Sequence, residues 1–264
     1  MENAEKKLVP AALLYLTAAV IGLLFPTHMI EGPILLLIPA VLLALITLFF
    51  YRRHISLFGP SLFFLLAYIT RTLPFYTLGL MFAFPIALYL ITIRFFKCLW
   101  RDKPAPSLGE VGKINAVSLL LGIVVIVVSS SALILWYLLF DPDIEVFTQY
   151  FPDVELSKLL VGGVVFALVN SIVEEVVYRG ILWSGLEEIF DNVYIVIVVQ
   201  ALIFGAIHYW GIPNGIMGAV MATVYGLFLG VIRNCSKGLL MPILTHNFAD
   251  MTIFLILLNI VGRI

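Results

Sequence analysis

Cysteine and charge are both scarce in this 264-residue chain. The two cysteines, Cys98 and Cys235, sit in short basic segments and give no ground for a disulfide framework. Charged residues make up 12%, against about 25% in average globular chains. That is too little polar side chain to coat a water-soluble particle of this size. Fifteen Lys and Arg against sixteen Asp and Glu leave a net charge of -1 and no reason to expect a nucleic-acid partner. No internal repeat, low-complexity tract or compact His-Glu-x-x-His spacing occurs. What is present in excess is apolar sequence, at 62% hydrophobic residues and a mean hydropathy of +1.13. Disorder is excluded, and the surface must largely face lipid. The composition specifies a multi-pass protein of the cell membrane.

A bilayer core of about 30 Å takes about 20 apolar residues per helix. Breaks in the apolar text place spans near 8–25, 33–50, 56–70, 74–95, 114–139, 159–186, 192–209, 214–232 and 239–261. The expected fold is therefore an all-α transmembrane helix bundle of nine spans. Eight is the alternative, because the short third span is parted from the fourth only by Arg71, Thr72 and Pro74. The first span runs into Pro26, Thr27 and His28 with no cleavage pattern and reads as a retained anchor. Under nine spans, eleven Lys and Arg fall on the amino-terminal side, Lys6, Lys7, Lys97, Arg101 and Lys103 among them, against three opposite. The positive-inside rule then expects a cytoplasmic amino terminus. The acidic loop 141–157, with Asp141, Asp143, Glu145, Asp153 and Glu155, falls outside. A linker-like stretch from Arg101 to Lys113, with Pro104 and Pro106, divides amino-terminal spans (1–113) from a second region (114–264).

Charges inside spans are costly and usually mark function. The sixth span holds Glu174, Glu175 and Arg179 within six residues. Glu175 and Arg179 stand i,i+4 in the favourable order and can neutralise each other. Glu174 lies about 100° further round the helix, on a stripe with Asn170, Ser171 and Tyr178, and that pair does not account for it. His208 closes the seventh span, and His246 lies in the ninth, four residues before Asp250. His28 and His54 sit in short polar loops and need no special account. Glu174 and His208 are equally far from Asp191 in the polar break between their spans. At 1.5 Å per residue both reach a depth of roughly 25 Å from that turn and can meet across an antiparallel helix pair.

A carboxylate kept from bulk water, two imidazoles and a second acid are the parts of a hydrolytic acid/base site. Glu174 would accept a proton from water, a facing histidine would orient that water, and a second would hold an oxyanion. Two other uses remain open. Glu174, His208 and His246 could hold zinc, and Asp, Glu and His chains relay protons in transporters, although no inverted set of broken helices is visible.

Three motifs built on these residues resemble the CAAX-protease and bacteriocin-processing family of intramembrane proteases, which includes the Rce1-like prenyl-protein endopeptidases. They stand in order as Glu174-Glu175-Val176-Val177-Tyr178-Arg179, Phe204-Gly205-Ala206-Ile207-His208 and His246-Asn247-Phe248-Ala249-Asp250. The resemblance covers about residues 158–261. It implies a glutamate-type endopeptidase with no metal cofactor, with Glu174, His208, His246 and Asp250 catalytic and Glu175, Arg179, Tyr178 and Phe204 supporting. It also implies a membrane-associated protein or peptide as substrate. Prenyl proteases carry Asn where this chain has Asp250, so Asp250 must act protonated, orient His246, or mark a different substrate. A catalytically silent scaffold or toxin-immunity protein of the same fold is the competing expectation.

Overall fold

The computed structural model describes residues 2–25, 32–73, 82–95, 97–100, 108–142, 144, 147 and 151–263. His28, Pro26, Thr27, Pro74, Arg101, Lys103, Pro104, Pro106, Asp143 and Glu145 lie outside the described residues, as do the side chains of Lys6, Lys7, Lys97 and Cys98. Ten α-helices follow in order: α1 Glu2–Leu24, α2 Pro33–Arg53, α3 Ile55–Arg71, α4 Ala83–Phe95, α5 Ala116–Phe140, α6 Leu156–Glu175, α7 Trp183–Glu187, α8 Val193–Ile207, α9 Gly215–Ser236 and α10 Leu240–Ile260. No strand occurs among the described residues. A π-helical turn, Val176–Leu182, joins α6 to α7, so one long rod crosses the expected sixth span.

Among the described residues, six helical stretches are long and apolar enough to cross a bilayer, and three shorter apolar ones, Val9–Leu24, Ile55–Arg71 and Ala83–Phe95, accompany them. The third and fourth expected spans form separate helices, α3 and α4. Rows of large apolar side chains face outward, such as Val161, Val165, Phe166 and Val169 along α6. Continuous apolar faces of this extent suit lipid and not water. This is a multi-pass helical membrane protein.

The chain divides into two compact units, residues 1–108 with 180–196, and residues 109–179 with 197–264. In the first, α3 packs against α1, α2 and α4 around aromatic rings, Tyr15 with Phe64 and Phe63 with Tyr89. Arg71 donates to the carbonyls of Gly22 and Leu23 at 2.6 and 2.7 Å, capping the last turn of α1. The Tyr15 hydroxyl donates to the Leu182 carbonyl at 3.0 Å, and a Cβ at Gly185 would overlap the Tyr15 ring.

In the second unit α10 packs against α5, α6 and α9. α5 starts at a capping box in which Asn115 and Ser118 satisfy each other's backbone N–H groups. Ahead of it, Leu239 and Leu240 at the start of α10 donate to the carbonyls of Glu110 and Val111, and Lys113 donates to Ser236. Residues 110–113 of the expected linker are thus tied to the head of α10, which supplies acceptors for two of the N–H groups a helix start leaves unpaired. Small residues bring α8 and α9 together: a Cβ on Gly226 would sit 3.2 Å from the Ala201 Cα, and one on Gly205 would sit 2.6 Å from the Ala219 carbonyl oxygen.

Candidate active site

Glu174 and Glu175 end α6, and their side chains leave the helix in different directions. Glu175 is sealed from solvent, and its Oε1 accepts from Arg179 Nη1 at 2.8 Å and from His246 Nδ1 at 2.7 Å. A carboxylate oxygen only accepts, so the Nδ1 proton of His246 points at Glu175 and Nε2 is turned the other way. Arg179 is also fully buried. Its Nη2 donates to the Gly226 carbonyl at 3.3 Å, and its guanidinium lies 4.4 Å over the Phe204 ring. Gln200, also buried, donates to the same Gly226 carbonyl at 2.9 Å.

On the far side of His246, Nε2 faces two more carboxyl groups, Glu174 Oε2 at 3.8 Å and Asp250 Oδ1 at 3.6 Å. These are too long for hydrogen bonds and close enough for strong electrostatic coupling outside water. The remaining oxygens, Glu174 Oε1 and Asp250 Oδ2, both accept from Asn170 Nδ2, at 3.3 and 3.2 Å. Glu174 keeps 16% of its side chain exposed where Glu175 keeps none. Its Oε2 is buried and makes no hydrogen bond within the described residues.

His208 opens a 3-10 turn, His208–Trp210, at the end of α8. Its Nδ1 donates to the Phe204 carbonyl at 2.8 Å, which leaves Nε2 free to accept in the neutral ring. Glu174, His246 and Arg179 all lie within its electrostatic reach. Phe204 links these groups, with ring centroids 4.4 Å from His208, 5.9 Å from His246 and 5.0 Å from the buried Tyr178. Five of the eight residues singled out in the sequence thus form one cluster of polar groups, His208 lies within electrostatic reach of three of them, and Phe204 and Tyr178 pack alongside.

Three contributors escaped the motif reading. Asn170 was placed on the Glu174 stripe but not taken as a site residue, although its i−4 spacing from Glu174 was readable. Gln200 stands four residues before Phe204 and could have been found by the same spacing. Tyr225 of α9 lies 5.7 Å from the His246 ring, and its hydroxyl donates to the Thr245 carbonyl at 3.3 Å; no local pattern announces it. Ser171 turns back to the Leu168 carbonyl of its own helix and takes no part.

His208, His246 and Asp250 border a cavity of about 290 Å³ that is otherwise almost wholly apolar. Its other walls include Val124 and Val128 of α5 and Val220, Val224 and Phe228 of α9, side chains that are also exposed on the lipid-facing surface. An apolar chain can therefore approach the polar cluster from the bilayer. The zinc alternative needs Glu174, His208 and His246 around one ion; among the described residues no three His, Cys, Asp or Glu side chains are grouped to hold a metal.

Residues 156–252 match the family model of the type II CAAX prenyl endopeptidases, described as Rce1-like. The matched stretch runs from α6 into α10 and contains every residue of the three motifs. No curated protein and no solved structure matches the chain. The match covers less than half of the chain and makes this part of a multi-pass membrane protein similar to the Rce1-like proteases.

Proposed function

We propose that the protein is an intramembrane endopeptidase that uses Glu174 to activate water against a peptide bond of a membrane-associated protein or peptide. The observation that carries this reading is the division of labour between adjacent glutamates. Glu175 is fully buried and its Oε1 is held by both Arg179 and His246, while Glu174 keeps 16% of its side chain exposed, is bonded to the neutral amide of Asn170 and faces the same histidine from its other side. A carboxylate gripped by a guanidinium and an imidazole is committed to holding them, whereas one bordered by a neutral amide and partly open can still take up a proton.

In this mechanism a water lies between Glu174 and the Nε2 of His208. Glu174 takes one proton as the oxygen attacks the carbonyl carbon. The developing oxyanion receives hydrogen bonds from His246 Nε2, when that nitrogen carries a proton, and from the protonated carboxyl of Asp250. Glu174 then passes its proton to the departing amine nitrogen, and the C–N bond breaks to leave a carboxyl and an amine terminus. Glu175 holds His246 in register from behind, as a carboxylate behind a catalytic imidazole does in other hydrolases. No metal takes part in these steps. The bundle crosses the membrane nine times, with the amino terminus in the cytoplasm by the distribution of Lys and Arg.

The test compares membranes from cells making the parent protein with those making Glu174→Gln, by sequencing protein termini. The reading expects new termini in a membrane-associated protein that appear only with the parent. Identical termini in both would instead support a silent scaffold of the same fold.

A further inference from the structure

Asn170 belongs to none of the three motifs, yet among the described residues its side chain is hydrogen-bonded to both carboxyl groups flanking His246. It stands one helical turn before Glu174 on α6, while Asp250 comes from α10. Its Nδ2 reaches Glu174 Oε1 at 3.3 Å and Asp250 Oδ2 at 3.2 Å. The primary amide has two N–H donors on that nitrogen, one for each acid. The opposite oxygens of both acids then face the single Nε2 of His246, at 3.8 and 3.6 Å. The result is a closed ring in which two carboxyl groups are bridged on one side by a neutral amide and on the other by an imidazole.

We propose that Asn170 is a positioning residue that holds Glu174 and Asp250 together as one two-carboxyl unit, so that the two acids exchange and share protons as a pair. The proposal rests on the catalytic reading given above for its consequence in turnover. An i,i+4 contact within α6 alone would position Glu174; the second bond to Asp250 carries a coupling between helices that helix packing does not require. With the amide in place, neither acid can turn away from the imidazole without losing a buried hydrogen bond. Without it, the two carboxyl groups face each other with no intervening donor, an arrangement that is expensive away from water. The other titratable and charged groups around the unit are Glu175 and Arg179 on the α6 rod, His208 after α8 and Tyr225 on α9. None of them is shown bonded to both acids, so none can substitute for the amide.

The role is read without a substrate by infrared titration of carboxyl bands in detergent. Glu174→Gln and Asp250→Asn each assign one band by removing it. Asn170→Ala should displace the titration midpoints of both bands, because both acids lose the same donor. Unchanged midpoints in folded Asn170→Ala would overturn the proposal. If that variant does not fold, Asn170→Leu, similar in size, uncharged and without the amide donor, takes the same measurement, with the same displacement expected and the same null result decisive. On a fluorogenic peptide with a farnesylated CAAX end, Asn170→Ala should lower kcat by roughly a hundredfold with KM little changed. Failure of the parent to cleave that peptide would count against a prenylated substrate, while the infrared midpoints would still decide the role of Asn170.

Discussion

The Nδ1 atom of His246 lies 2.7 Å from Oε1 of Glu175, a contact between residues 71 positions apart on α10 and α6. It assigns Glu175 two partners, since the same oxygen holds Arg179 at 2.8 Å. The ring orientation of His246 is therefore fixed from a fully buried side, and Nε2 is presented to Glu174 and Asp250.

From this contact, Glu175→Gln should damage both stability and turnover. The amide cannot neutralise Arg179, which stays buried over the Phe204 ring, and loss of one partner of a buried pair costs on the order of 3–5 kcal/mol. It also presents His246 with a side chain that no longer compels a proton on Nδ1. A large drop in melting temperature in detergent, with turnover reduced at temperatures where the variant is folded, is the expected outcome. Unchanged melting would show that the pair contributes little.

Asp250→Asn separates two roles. The orienting position behind His246 is occupied by Glu175, and Asp250 lies 3.6 Å from Nε2 on the other face. The account therefore expects Asp250 to act as a protonated donor. An amide donates at every pH, so Asp250→Asn should keep activity and extend it to higher pH. The pH–rate profiles of variant and parent on one membrane substrate check this. A uniform loss of turnover in folded protein would assign Asp250 an anionic role.

Much of this was legible in the sequence, for identifiable reasons. Each of the nine apolar segments contains described helix, six of them long and apolar enough to cross a bilayer and three shorter, because contact with lipid demands apolar runs. Glu175 and Arg179 could be paired from their spacing, and Glu174 set apart from them by its angle on the helix. The second bond of Glu175, to His246, could not be read, because helical spacing says nothing about a partner on another helix. Nor could the π-helical turn after Glu175, which has no periodic signature of its own. Gly218, Ala222, Gly226 and Gly230 recur every four residues and are buried along α9, a readable pattern for close helix approach.

Gly205 within the second motif supplies a structural prediction. A Cβ there would lie 1.9 Å from Thr223 Oγ1 and 2.6 Å from the Ala219 carbonyl oxygen. Backbone must move to admit it, so Gly205→Ala should destabilise the protein by about 1–3 kcal/mol. Thermal melting in detergent checks this, and an unchanged melting temperature would refute the close α8–α9 approach.

Activity should be independent of a tightly bound metal. His246 Nδ1 is committed to Glu175 and His208 Nδ1 to the Phe204 carbonyl. In this account both Nε2 atoms serve water and oxyanion. Purified, active protein should contain far less than one zinc per chain and retain activity after chelation. Stoichiometric zinc, with activity lost on chelation and restored by zinc alone, would replace the mechanism.

The central claim is that the Glu174 carboxylate takes the proton from the attacking water. The most direct measurement is turnover of one membrane peptide substrate by purified parent and Glu174→Gln, with folding verified by melting temperature. The amide preserves shape and cannot accept that proton, so the account expects turnover to fall by about a thousandfold or more with the fold intact. Full turnover by a folded Glu174→Gln would contradict it.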